Sequence, residues 1–246
     1  MKSRLVSSLI PVFVVFLLCT SCGKDNDGGK PQATVTGQVR LFNEFGQEQT
    51  DRSGVRVTVT DAPNVAATSA ADGTFSIANV PAGKHRFILG KPGYGTYQSA
   101  ELAVSGSTTP LGPPVRLGQL PSWTISGYTY GSYVDVVFAG STSVPSTQAE
   151  PRSGRLYMRA GLALPTPSTY DYTVRLTDRH EFFWQDSIAY DKLVAAGLPV
   201  SKAISYAIFP ENPAADSYID PVSGKEIYPA TKSDNIGSNT GGFQYP

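Results

Sequence analysis

The clearest period-two pattern in the chain lies between Gly54 and Thr96. In Gly54-Val55-Arg56-Val57-Thr58-Val59-Thr60 the three valines share one face and the polar residues the other, as in a half-buried strand. Phe75 and Ile77 alternate with Thr74, Ser76 and Ala78, which predicts a second strand, and residues 86–89 predict a third. Asp72-Gly73, Pro81-Ala82-Gly83 and Pro92-Gly93 separate these runs. Asp-Gly suits a type I′ turn, whose two central positions both need positive φ. Turns this close together, with no helical period between them, predict an antiparallel β-sandwich. Residues 34–41 supply its first strand and 42–53 a polar loop. Residues 101–104 and 115–117 close it around a Gly/Thr/Pro loop at 105–114.

Alternation resumes after residue 122. Strands are expected at 123–130, 133–138, 155–164, 170–176, 181–188 and 203–209. Leu156, Met158, Ala160, Leu162 and Leu164 should face inward, with Arg155, Tyr157 and Arg159 outward. Tyr190, Leu193, Val194 and Gly197 have helical spacing, enough for one or two turns. Residues 218–228 read as a hairpin turning at 221–224, and the last dozen residues, polar and Gly-rich, read as loose. Short strands over about 125 residues predict an immunoglobulin-like or fibronectin-like sandwich. No cysteine pair flanks Trp123 or Trp184, which excludes the disulfide-bearing immunoglobulin type. The expected fold class is therefore all-β: two antiparallel β-sandwiches in tandem, at 33–118 and 122–246, standing in line across a short junction.

Composition agrees. The 24 Gly and 19 Pro fit many short strands joined by turns and oppose a helical bundle. Formal net charge is zero. Without Lys2 and Arg4 the 20 basic residues fall to 18 against 20 acidic ones, so no electrostatic footprint for nucleic acid exists.

The N-terminus reads as an address. Lys2 and Arg4 precede an apolar run at 5–18 and then Cys19-Thr20-Ser21-Cys22, the layout of a secretory signal peptide over 1–21. Thr20, Ser21 and Cys22 resemble a bacterial lipobox, with Cys19 where Leu is usual. Both cysteines of the chain lie here. Cleavage before Cys22 leaves one thiol, which acylation uses, and two or more acyl chains hold a protein to a membrane stably. Residues 22–32 follow as the lipidated cysteine and a flexible tether. Their basic-then-acidic order resembles export signals of surface lipoproteins in some Gram-negative bacteria, and no Asp follows Cys22. Expected localisation is the outer membrane, lipid-anchored and facing the cell surface, with the periplasmic face as the alternative.

Five short motifs in order, Val35-Thr36-Gly37-Gln38-Val39, Gly54-Val55-Arg56-Val57, Ala71-Asp72-Gly73-Thr74-Phe75, Val80-Pro81-Ala82-Gly83 and Lys91-Pro92-Gly93-Tyr94, resemble the carboxypeptidase regulatory-like domain. The resemblance covers residues 33–118. It implies a transthyretin-like (prealbumin-like) sandwich serving as a non-catalytic accessory domain, without implying peptidase activity. The second half resembles no specific family.

Candidate chemistry is sparse. With only His85 and His180 present, no zinc-peptidase pattern exists, and no Gly-x-Ser-x-Gly elbow, phosphate loop or cysteine nucleophile occurs. Asp61, Asp72 and Asn79 lack calcium-loop spacing, and Asp72 reads as a turn residue. No metal, cofactor or catalytic residue is expected, and the chain reads as a non-enzyme. Asp171 with Glu181 or Asp186 are the carboxylates a hydrolase would need. Tyr128 with Tyr130, and Tyr157 with Arg159, are candidates for a Tyr/Arg recognition patch, although cross-strand pairing explains them equally. Trp184, beside His180-Glu181-Phe182-Phe183, is either a sugar-stacking aromatic or a core residue. The expected function is binding of a glycan or surface protein, or scaffolding. A fimbria-like or transporter-associated assembly subunit is the alternative.

Overall fold

The computed structural model describes residues 31–131, 134–177, 183–199, 201–234 and 240–245. The signal peptide, Cys22 and the tether to residue 30 lie outside the described residues. The protein is all-β, with 51% of residues in strands and 3% in helix. Residues 31–246 form one compact unit whose described residues contain two large apolar cores and a small third cluster around Tyr157.

The first core lies within β1 (Gln32–Phe42), β2 (Arg56–Val59), β3 (Ala62–Thr68), β4 (Thr74–Pro81), β5 (Gly83–His85), β6 (Phe87–Gly90), β7 (Tyr97–Gln98), β8 (Leu102–Val104), β9 (Thr108–Pro110) and β10 (Val115–Gly118). One sheet runs β10-β1-β4, with β9 also on β1. The other runs β3-β2-β6-β7. The expected alternation holds: Val55, Val57, Val59, Ile77, Phe87 and Leu89 are fully buried. Pairing is not purely antiparallel, because β1 runs parallel to both β9 and β10. Part of the expected 105–114 loop is thus a strand. β3, Ala-Pro-Asn-Val-Ala-Ala-Thr, shows no alternation because it is a half-exposed edge strand, and edges tolerate proline.

The Asp72-Gly73 turn differs from type I′. Gly73 has φ +84°, but Asp72 does not share the positive region. The Gly73 N–H donates to Ala70 O and the Ala70 N–H to Thr74 O, closing a three-residue loop with glycine at its left-handed position. The Asp72 carboxylate accepts from the Thr74 N–H at 2.9 Å and its hydroxyl at 2.7 Å, as a turn residue should. These bonds hold its pKa below the usual carboxylate range. The turn passes from β3 in one sheet to β4 in the other. A Cβ at Gly73 would stand 2.2 Å from Val39 O, so glycine is required twice over.

The second core lies within β11 (Ile125–Gly131), β12 (Asp135–Thr142), β13 (Ser153–Ala160), β14 (Tyr172–Thr177), β15 (Phe183–Ala189), helix α1 (Tyr190–Ala195), β16 (Ile204–Glu211), β17 (Tyr218–Ile219), β18 (Glu226–Ile227) and β19 (Thr240–Phe243). An antiparallel sheet β11-β12-β15 faces an antiparallel sheet β14-β13-β16-β19. Phe138, Leu156, Met158, Trp184 and Ile208 fill the space between. In α1 Leu193 is buried, whereas Val194 faces solvent. β13 ends at Ala160 and turns at Gly161 (φ +100°), which leaves Leu162 at 88% and Leu164 at 42% exposure rather than inside.

Residues 240–245 are not a loose tail. β19 hydrogen-bonds β16, Phe243 packs edge-on to Phe138 at 6.1 Å, and Gly241 lies under the Tyr206 ring, where a Cβ would come within 2.6 Å of its hydroxyl. These glycines read as looseness, but Gly241 permits close approach.

The junction between the cores is held from several sides. Buried Asn212 donates to the carbonyls of Asn43 (2.7 Å) and Gln119 (3.1 Å). Gly118 makes room for it, since a Cβ there would meet Asn212 Cγ at 2.8 Å. Asp216 accepts from the Arg116 N–H and Nε–H at 2.8 and 2.7 Å. Glu44 accepts from the Ser122 N–H at 2.6 Å. Gly95 lies directly against Pro229, where a Cβ would be 2.5 Å from the proline carbonyl.

Candidate functional site

Along this seam runs a groove of about 470 Å³. The first half contributes Tyr94, Gly95, Thr96 and Leu120. The second contributes Pro167, Tyr218, residues 227–229 and residues 231–234, among them Tyr228, Lys232 and Asp234. The groove exists because Gly95 lets the 229–230 backbone lie flat against the first sandwich. Three tyrosines and a rim of Thr, Ser, Lys and Asp give it an apolar floor with polar edges, the composition of a small-molecule or glycan site.

Each tyrosine is fixed from behind. Tyr94 donates its hydroxyl to Gln49 Oε1 at 2.9 Å and carries Lys91 Nζ over its ring at 5.5 Å. Tyr218 packs edge-on against Tyr97, with ring centres 5.8 Å apart. Tyr228 donates to Glu226 Oε2 at 2.8 Å, and the Arg155 guanidinium lies 3.3 Å from its ring centre. Burial raises the pKa of Tyr94 and Tyr218, while burial and then the Glu226 bond push Tyr228 up to about 12. All three are phenols at neutral pH; the Tyr94 and Tyr228 protons are already donated, so what these two offer a ligand is ring surface. Glu226 is held low by the Ser217 hydroxyl at 2.5 Å and then by Tyr228.

Beneath Tyr228 the outer face of β13 and β16 is closed over. Tyr157 is fully buried against Tyr170 and Phe209, and burial raises its pKa strongly. Arg155, 4% exposed, donates from Nε and Nη2 to Glu211, itself 3% exposed, at 2.8 Å. Arg175 donates to the other Glu211 oxygen at 3.1 Å. This network holds the 212–231 segment, including the predicted β17–β18 hairpin with its glycine turn at Gly224 (φ +68°), onto the sheet.

The sequence candidates fall elsewhere. Tyr157 is not on a recognition surface, because 212–231 covers the face expected to meet solvent. Arg159 is half-buried on the same strand. Trp184 is 4% exposed inside the second core, the core reading of that residue. Tyr128 and Tyr130 occupy β11 opposite Ala139 and Val137, but their side chains, like His180, Glu181 and Cys22, lie outside the described residues. Asp171 accepts from the Ala160 N–H at 2.9 Å. His85 is buried, with Nδ1 2.8 Å from the Asp61 carboxylate and Nε2 2.8 Å from Pro81 O, a structural latch. Among the described residues no cluster of three metal-ligating side chains occurs. The groove tyrosines were missed because they come from segments more than a hundred residues apart. Tyr94 belongs to a turn motif, and Tyr218 and Tyr228 to a hairpin, and each is explained locally.

No protein-family model matches the chain, including the carboxypeptidase regulatory-like domain, and no curated protein matches it significantly. Among solved structures, a cohesin–X-dockerin complex chain from Acetivibrio cellulolyticus is 22% identical over 35% of this chain, which spans 58% of that one, with TM-score 0.30. A DUF3823 family protein from Parabacteroides merdae is 15% identical, covering 82% of this chain and 98% of that one, with TM-score 0.29. A candidate carbohydrate binding protein from Bacteroides uniformis is 10% identical, covering 87% and 99%, with TM-score 0.27. Likenesses this distant assign no function, and the groove geometry is the guide that remains.

Proposed function

We propose that the protein is a non-catalytic binding protein of the cell envelope, lipid-anchored through Cys22 at the outer membrane, whose seam groove takes a glycan. The observation that carries this reading is the gathering of Tyr94, Tyr218 and Tyr228 with Thr231, Lys232 and Asp234 in one open groove. Tyrosine faces stack on the apolar side of sugar rings while the rim bonds their hydroxyls. Asp234 is the one carboxylate of the described groove lining, whereas glycoside hydrolysis uses two. On this reading residues 33–118, with their carboxypeptidase regulatory-like motifs, are an accessory scaffold that supplies one groove wall. A glycan array with the full mature chain tests the proposal. Binding should appear on at least one glycan class and fall about tenfold in Tyr218→Ala; a silent array, or binding indifferent to Tyr218, would sink it. Cys22→Ser should release the chain from the membrane fraction, and a chain that stays there overturns the anchor.

An assembly role is the second reading, favoured by the exposed Ile219 (60%) and Val222 (92%) at the β17–β18 tip. Sedimentation of the purified chain as a monomer at high concentration argues against it.

A further inference from the structure

Beside the seam groove lies a second, smaller hollow of about 90 Å³. Pro167 and Ser233 line both spaces, so the two are neighbours across one shared edge. The hollow is floored by β16. Its Tyr206 and Ile208 belong to the inner core, so Ala207 and Phe209 point to the outer side of the strand. Phe209 is held against Tyr157, with ring centres 6.0 Å apart, and Ala207 pairs with Thr240 of β19. Leu164, 42% exposed, also lines the space. Alanine at 207 leaves the floor deep, because a larger side chain there would project into the hollow.

We propose that this hollow takes the acetamido group of an N-acetylhexosamine, in a glycan that also occupies the groove. The inference rests on the glycan reading of the groove and narrows it to one substrate class. Size sets the first limit. An apolar cavity of about 150 Å³ takes a benzene ring, so 90 Å³ suits a shorter group than an aryl or a long acyl substituent. Charge sets the second. No charged side chain is among the described lining residues. A carboxylate or phosphate set against Leu164 and Phe209 would lose hydration without gaining a cation. An acetamido group is short and neutral, and it ends in a methyl suited to Ala207 and Phe209. It also carries one N–H and one C=O. The exposed Ser233 at the shared edge has a hydroxyl that both donates and accepts. The methyl of a deoxy sugar would leave that capacity unused, and a plain sugar hydroxyl would leave the apolar floor unfilled.

A glycan array probed with the full mature chain tests this, printed with pairs that differ only by acetamido or hydroxyl at one carbon. Tri-N-acetylchitotriose against cellotriose is one such pair, and N-acetylgalactosaminyl against galactosyl glycans another. In at least one pair the N-acetylated member should bind about tenfold more tightly on titration, from one buried methyl and one amide hydrogen bond. Equal binding within every pair, or a preference for the hydroxyl member or for deoxy sugars, overturns the acetamido assignment and leaves the groove reading standing. An array silent throughout removes the groove reading itself, and this inference with it. Ala207→Val narrows the hollow and should bring the ratio of the best pair toward one. Leu164→Ser, at an exposed position, should lower the same ratio and keeps the test open if Ala207→Val unfolds. A ratio unchanged in the folded variants overturns the assignment.

Discussion

In β2, Val57 and Val59 face the first core while Arg56 is exposed and Thr58 half-buried, so the strand has one dry face and one wet one. In β13, Leu156 and Met158 face the second core, but Arg155 and Tyr157 on the opposite side are equally buried. The two strands show the same alternation. What separates them is the 212–231 segment, which returns across the outer face of β13 and brings Tyr228 over Arg155, while Glu211 at the end of β16 pairs with that arginine. A polar residue on an alternating strand marks the face away from that strand's own core, and says nothing about whether a later segment covers it. The same covering segment builds the seam groove, so the charged network under it is the foundation of that groove.

The contrast is broken most directly at Glu211. Glu211→Ala strands the buried Arg155 and should destabilise the protein by about 3–5 kcal/mol in denaturant unfolding. A double change to Arg155→Met with Glu211→Leu should recover most of that loss, because packed apolar residues replace a buried ion pair at little cost. A loss under about 1 kcal/mol for the single variant would mean the outer face of β13 is wet, like that of β2.

The seam comes next. Gly95→Ala places a methyl against the Pro229 backbone, which cannot yield as a side chain can. Overpacking of this kind costs about 1–3 kcal/mol. The variant should also weaken any groove ligand more than it lowers stability, and titration of a bound glycan alongside melting would separate the two. Ile77→Val, in the one-sided core of the first sandwich, should cost only about 0.5–1.5 kcal/mol by the same unfolding assay. Arg116→Ala removes a solvent-facing ion pair with Asp216 and should cost less than about 1 kcal/mol.

The smallest effect is acid dependence. Arg40, by a direct hydrogen bond, and then Arg52 hold the Glu48 carboxyl down to about 2. A depressed folded pKa contributes stability above the unfolded value, and that contribution is lost as pH falls through the folded one. Glu48 therefore sharpens the acid limb between the ordinary glutamate range and about pH 2. Glu48→Gln should flatten that limb in a pH series of melting curves, modestly, since the group is solvent-facing.

Much of the fold was legible because the signal is local. Val55, Val57 and Val59 announce β2, and the hairpin around Gly224 follows from its own residues. Where the signal is local but ambiguous, geometry decided. Asp72-Gly73 marked a turn, yet passage between two sheets and the Val39 carbonyl selected a loop with one left-handed glycine instead of type I′. Gly241 resembled looseness because a missing side chain looks alike whether the chain is free or tightly approached by Tyr206.

The sequence by itself determined the β class, the turns and the apolar faces of most strands, since these depend on neighbours two residues apart. Tertiary structure alone decided that Tyr157 and Arg155 are buried, that Trp184 is core, and that Tyr94 and Tyr228 line one groove. Those outcomes depend on which distant segment covers which face, and residues 134 positions apart carry no shared period to announce it.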